Sequence, residues 1–229
     1  MIARASQCVV TILLGCVSLP RAAALTYEEI LDAGPLPDLA QEVAGFDSIE
    51  AILGRLDHAF DVDLYRIEVG VPQEFAAAAL PTHDAAPDLQ LFLFDAWGRG
   101  VLSNDDWGVS RMPLIPGGAL TGYPPSEYLL GVSPADNDPV GVFGELFPDV
   151  ESEASAPYAN SRSDRLIGWT RDFTAVGGDY LIALSGVQGI ATPLAADFDE
   201  DGDVDAFDRA IWEEGFASSS THLAGDAAS

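Results

Sequence analysis

From Val62 to Val69 the chain reads VDLYRIEV, and its side chains alternate in character. Leu64, Arg66 and Glu68 fall on one face, and Asp63, Tyr65, Ile67 and Val69 on the other. A period of two over such a run, carried by Tyr, Ile and Val, is the pattern of a half-buried strand. The same grammar recurs along the chain. Ile49, Ala51 and Leu53 alternate before a turn over Asp57–Asp61, and Phe75–Leu80 is a further candidate strand, although its Ala run is also compatible with helix. Leu89–Phe94 is almost wholly apolar between Asp88 and Asp95, which predicts a core strand. Trp97–Gly100 predicts a turn, Val101 and Leu102 a return strand, and Asn104-Asp105-Asp106 a closing loop. Tyr128–Val132 and Tyr180–Leu184 are two more apolar strands. Between them Ser133–Arg165, rich in Pro, Asp, Ser, Asn and Gly, predicts a long surface excursion. Only Tyr27–Leu31 suggests a short helix ahead of the strands, followed by Pro-containing coil. Strands and helices do not alternate, and there is no Gly-rich phosphate loop. The expected class is mainly β, an antiparallel β-sandwich.

Four stretches share an order with a known family. They are Asp61–Ile67, Asp88–Asp95, Gly98 followed by Asn104-Asp105-Asp106, and Gly178–Gly186. Together they resemble the bacterial pre-peptidase C-terminal domain, over about residues 47–191. The resemblance implies a jelly-roll-like sandwich appended to secreted enzymes or surface proteins and not itself catalytic. Some relatives bind calcium or insoluble substrate polymers. The long Ser133–Arg165 stretch departs from the family, as does the lack of an attached peptidase domain.

A different chemistry lies beyond the strands. Asp197, Asp199 and Asp201 occupy positions 1, 3 and 5 of a twelve-residue loop, with Gly202 at 6 and Asp208 at 12. Calcium takes six to eight oxygens, and this register supplies carboxylates at 1, 3, 5 and 12 and a backbone carbonyl at 7, here that of Asp203. Gly202 permits the sharp turn, and Val204 is positioned to pin the loop to apolar surroundings. An exiting helix is expected, with Phe207, Ile211 and Trp212 forming an apolar stripe and Gly215 able to end it. Thr192–Ala196 is too short, and too near Pro193, for an entering helix. Residues 192–217 therefore resemble one dockerin type I repeat, a loop–helix calcium module related to the EF-hand. That resemblance implies Ca²⁺ as the cofactor and a cohesin-like or cell-surface protein as partner. Ala206, Phe207, Glu213 and Glu214 stand where cellulosomal dockerins tend to carry Ser/Thr and basic residues. Residues 218–229 read as a linker and the start of a truncated second repeat, with Asp226 at its first position.

The N-terminus reads as a secretory signal over residues 1–24. Arg4 precedes the apolar run Cys8–Val17, and Ala22-Ala23-Ala24 ends it. Two other readings stand beside cleavage, an uncleaved anchor and a lipoprotein modified at Cys16, because Leu13-Leu14-Gly15-Cys16 resembles a lipobox. Both cysteines lie in this segment, so an exported chain would have neither disulfide nor thiol. Of ten basic residues, all arginine, Arg4 and Arg21 lie in the signal, whereas all 37 acids follow it. Eight arginines then face 37 acids, a net charge of −29. Such a charge excludes nucleic acid and anionic membranes as partners. It suits divalent cations, or a saline habitat.

Asp61, Asp63, Asp88, Asn104, Asp105 and Asp106 read first as turn chemistry, since Asp and Asn bond their own backbone, with a second calcium site at one end of the sandwich as the alternative. His58, His83 and His222 lack zinc spacing. Trp97, Trp107 and Trp169 suit either sugar stacking or packing. With no catalytic site residues evident, the expectation is a secreted, non-catalytic, calcium-binding module for docking, surface display or attachment to an extracellular polymer. The alternative is a polymer-degrading hydrolase, of polysaccharide or protein, anchored by the dockerin-like tail.

Overall fold

The computed structural model describes residues 25–45, 48–82, 87–108, 111–149, 153–170, 176–190 and 209–211. Residues 1–24, expected to be a signal, residues 197–208, expected to be a calcium loop, and Trp212 lie outside the described residues; residues 209–211 are helical.

Among the described residues fourteen strands follow one another. They are β1 (Leu25–Glu28), β2 (Gln41–Glu42), β3 (Ile49–Leu56), β4 (Asp63–Val69), β5 (Ala76–Leu80), β6 (Leu89–Asp95) and β7 (Gly100–Asn104). Then come β8 (Leu114–Ile115), β9 (Ser126–Pro134), β10 (Pro139–Gly141), β11 (Gly144–Glu145), β12 (Gly168–Trp169), β13 (Gly178–Ser185) and β14 (Val187–Gln188). One sheet has the order β1-β3-β13-β5-β8. A second runs β14-β4-β9-β6-β7, with β2 also on β4. The two long-sheet pairings made by β1 and β2 are parallel, and the other ladders are antiparallel.

The two large sheets share one apolar core, so the fold is mainly β and sandwich-like. Ile49, Ile52, Leu56, Ile182 and Leu184 from the first sheet join Tyr65, Ile67, Leu91, Leu93, Leu130 and Val132 from the second. The alternation read from β4 holds: Asp63, Tyr65, Ile67 and Val69 are buried, whereas Arg66 and Glu68 are half-exposed. Tyr27 is not helical. It lies in β1, whose residues pair with the edge of β3, and the Glu29 amide continues the contact by donating to the Leu53 carbonyl (2.9 Å). A five-residue helix cannot recover its nucleation cost, whereas an open strand edge offers ready partners.

The Ser133–Arg165 stretch is more than a surface excursion. It contains the end of β9 and the hairpin of β10 and β11, and β10 also pairs with β12. Leu146, Phe147 and Leu166 pack on Leu64, Phe92, Phe94 and Leu129, a second core on the outer face of the second sheet. Phe92 and Phe147 have ring centroids 5.7 Å apart, and Trp169 meets Phe92 edge-on at 5.4 Å. The second sheet is thus covered on both faces. This explains why β6 is apolar without alternation: its first six residues are all buried.

Phe92 is 2% exposed and touches both Phe147 and Trp169. Phe92→Ala is expected to cost about 3–5 kcal/mol, the range for deleting a buried Phe. Urea denaturation followed by circular dichroism measures it; a loss below about 1 kcal/mol would mean that the outer layer does not pack as described.

Candidate metal centre

The turn joining β3 to β4 is built by its own side chains. The Asp61 amide donates to the His58 carbonyl (3.1 Å), and the carboxylate of Asp61 accepts from the amides of Asp57 and Val62. This is the turn chemistry expected of Asp. From a neighbouring strand connection, the Asn137 side-chain amide donates to the Ala59 carbonyl (2.8 Å) and anchors the turn. The turn delivers Asp63 to the first position of β4. The alternation then points Asp63 inward, where it is 0% exposed.

An inward carboxylate needs partners. The Tyr180 hydroxyl of β13 donates to Asp63 Oδ2 (2.6 Å), and it lies 2.5 Å from the Tyr65 hydroxyl. Gly54 of β3 leaves room for this pair, since a Cβ there would collide with both tyrosine hydroxyls. Asp63 Oδ1 is also buried, and it has no hydrogen-bond partner among the described residues.

Four other acids stand nearby, from the N-terminal segment and the turn. Glu29 follows β1 and accepts the amides of Ala33 (2.9 Å) and Arg55 (2.8 Å), one on each oxygen. Leu31 has φ +60°, a left-handed conformation that a branched apolar residue adopts only under constraint. It makes the corner between Glu29 and Asp32. Glu29, Asp32 and Asp63 each offer an oxygen within 4.8 Å of the others, and so do Asp32, Asp57 and Asp61. Asp32 belongs to both groups, so five carboxylates form one continuous cluster. Arg55 is the adjacent cation, exposed and engaged with Asp57 (3.3 Å) and Asp179 (2.6 Å).

The electrostatics follow from this crowding. The Asp63 carboxyl is pushed up to about 9, chiefly by burial, with repulsion from Glu29, Asp61 and Asp32 adding to it and the Tyr180 hydrogen bond opposing it. Glu29 and Asp32 are also raised, in both cases first by burial. Glu29 and Asp32, each with an oxygen within 4.8 Å of one from Asp63, make a group that could hold a hard divalent cation, which binds carboxylate oxygens and would cancel their repulsion.

The six residues read from the sequence as one further site are divided by the structure. Asp63 pairs with Val132, Val132 with Leu91 and Leu91 with Asn104, so Asp63 and Asn104 lie in one row across the second sheet. They are three strand spacings apart, roughly 14 Å. Asp61 and Asp63 join the cluster above, whereas Asp88, Asp105 and Asp106 lie beyond the other strands, with Asp136, Asp138 and Asp149 nearby. There Asn104 performs turn chemistry, accepting the Leu114 amide (2.6 Å) and donating to the Asp106 carbonyl (2.7 Å). Burial and then neighbouring acids push Asp105 up to about 7. Burial likewise pushes Asp138 up to about 6, against a hydrogen bond from Gln90. Glu29 and Asp32 were not singled out in the sequence; the signal for them is the pair of acids beside the first strand, whose proximity to Asp63 only the pairing of β1 with β3 creates. The calcium-type ligands Asp197, Asp199, Asp201, Asp203 and Asp208 lie outside the described residues. Of the tryptophans, Trp169 is packed in the second core and donates to the Pro35 carbonyl (2.7 Å), whereas Trp97 is 60% exposed.

These shifts set a pH dependence for the metal-free protein. A carboxyl whose folded pKa exceeds its unfolded value near 3.8 holds its proton more tightly when folded. Its contribution is complete below about pH 4 and is lost as pH rises through about 6 for Asp138, 7 for Asp105 and 9 for Asp63. With a chelator present, the urea midpoint is expected to fall from about pH 5 to about pH 9, and Asp63→Asn should flatten the portion above about pH 7. A midpoint that rises over this range would contradict the burial of these acids.

No protein-family model matches the chain, and a search of curated proteins finds no match, so the chemistry of the cluster rests on its own side chains.

Proposed function

We propose that this chain is an exported, non-catalytic module that binds calcium and attaches itself to an extracellular polymer or a cell-surface protein. The observation that carries the reading is Asp63: wholly buried, with oxygens of Glu29 and Asp32 within 4.8 Å, and with one oxygen lacking any donor among the described residues. A buried, unpaired carboxylate oxygen is costly to keep. Calcium bound by Asp63 together with Glu29 and Asp32, beside the adjoining group of Asp32, Asp57 and Asp61, would supply the missing partner. Both cluster groups offer oxygens only, which suits calcium rather than a softer metal.

The same cation would tie the N-terminal segment, through Glu29 and Asp32, to Asp63 at the start of β4. Calcium then stabilises the folded body by mass action. The loop Asp197–Asp208 supplies a second site through Asp197, Asp199, Asp201, the Asp203 carbonyl and Asp208. Its dockerin-like pattern supports a cohesin-like or cell-surface partner. The signal-like residues 1–24 support export, and the charge of −29 suits a medium rich in divalent cations.

Calorimetry of the chain beginning at Leu25 tests the reading. Two calcium ions are expected per chain. Asp63→Asn, which keeps a partner for Tyr180, should weaken one site at least tenfold, and Asp201→Ala should remove the other. Two unchanged sites in Asp63→Asn would remove the sandwich site, and no calcium binding by the unmutated chain would overturn the reading as a whole. Export is checked separately by N-terminal sequencing of secreted protein, which should begin near Leu25.

A further inference from the structure

At the end of the second sheet opposite the acidic cluster, the turn between β6 and β7 and the start of β9 enclose a cleft of about 290 Å³. Its charge and its surface differ from those of the rest of the chain. Asp95 and Glu127 line it, and so do Arg99 and Arg162. Two acids against two arginines make a locally balanced site in a chain whose exported form carries −29. Trp97 and Tyr123, 60% and 42% exposed, border the same space.

The cleft is held in shape by its own bonds. Asp95 Oδ1 accepts the amides of Trp97 (2.9 Å) and Arg99 (3.0 Å), while Oδ2 holds Arg99 Nε at 2.6 Å. Gly98, at φ +81°, allows the turn to close. The Arg99 guanidinium carbon lies 4.9 Å from the centre of the Trp97 ring. A cation over one face fixes the indole orientation and leaves most of the side chain to solvent. Across the cleft, the Tyr128 hydroxyl donates to the Pro124 carbonyl (2.9 Å), tying down the segment that follows Tyr123. A large exposed indole on a rigid turn costs little ordering entropy when something binds to it.

We propose that this cleft binds an uncharged polysaccharide, with a sugar ring against Trp97 and Tyr123 and its hydroxyls bonded to the surrounding charged groups. The apolar C–H face of a pyranose complements an aromatic ring. Its hydroxyls are both donors and acceptors, and the cleft offers acceptors (Asp95, Glu127) beside donors (Arg99, Arg162). An anionic chain would meet the field of the whole protein with nothing but a balanced cleft to offset it. The volume lies at the low end for ligand pockets and suits one or two rings of a longer chain. This inference deepens the reading of the protein as an attachment module by naming the class of polymer and the site.

Native affinity electrophoresis tests it, since the strongly negative chain migrates readily in a non-denaturing gel. The probes are hydroxyethylcellulose, xylan, galactomannan and soluble glycol chitin, with polygalacturonate for comparison. Retardation by at least one neutral gel is expected, weakened at least tenfold in Trp97→Ala and clearly reduced in Tyr123→Ala. Trp107→Ala, outside the cleft, should behave as the unmutated chain does. Near-ultraviolet circular dichroism verifies that the variants are folded. No retardation by any neutral gel, retardation unchanged in both cleft variants, or stronger retardation by polygalacturonate would each overturn the proposal. Asp63→Asn alters the far end of the sheet and should leave retardation intact, so calcium binding without retardation removes the cleft alone.

Discussion

Much of this molecule is organised around an acid that faces the wrong way for an acid. Asp63 opens β4 on the inward side of a strand whose next inward residues are Tyr65, Ile67 and Val69. Because side chains alternate strictly along a strand, moving Asp63 outward would turn the tyrosine and both aliphatic residues to the opposite face. The register that buries the core therefore also buries the carboxylate. Its surroundings read as accommodation: a tyrosine hydroxyl from the facing sheet, a glycine in β3 that makes room for it, and an N-terminal segment that brings further acids alongside. One oxygen of Asp63 accepts from Tyr180, and the other has no hydrogen-bond partner among the described residues.

The second organising fact is that the sheet carrying Asp63 is covered twice. Its inner face packs on the β3–β13–β5 sheet, and its outer face lies beneath Leu146, Phe147 and Leu166. Two apolar layers hold β4, β9 and β6 as a rigid floor. Its two ends are then free to carry different chemistry. One end gathers acids around Asp63 and, three strands away, around Asp105. The other end carries the charge-balanced cleft beside Trp97. Loops positioned by such a scaffold are where binding residues concentrate in general.

The strands themselves could be read from the chain. The two-residue period of Val62–Val69 and the apolar runs at Leu89–Phe94, Tyr128–Val132 and Tyr180–Leu184 each became a strand near those limits. These signals are local: they depend on which face each side chain takes, and neighbouring residues settle that. Tyr27–Leu31 misled because its few residues carry no period, and an edge of β3 decided the outcome. Ser133–Arg165 misled for a related reason. Its turn-forming composition is genuine, but the few apolar residues within it are the ones that cover the second sheet.

The candidate site divides along the same line. The amino-acid sequence by itself determined that acids stand at Asp61 and Asp63, that Asp197, Asp199, Asp201 and Asp208 have the spacing of a calcium loop, and that the chain carries a formal net charge of −27. It could not show which acids share a site. Glu29 and Asp63 are brought within reach by the parallel pairing of β1 with β3 and by the packing of Tyr180 against β4, whereas Asp63 and Asp105, which the alternative to turn chemistry put at one site, are held apart by the intervening strands. Charge and periodicity are properties of the local chain. Convergence is a property of strand order and of sheet-on-sheet packing, and only the tertiary structure decides those.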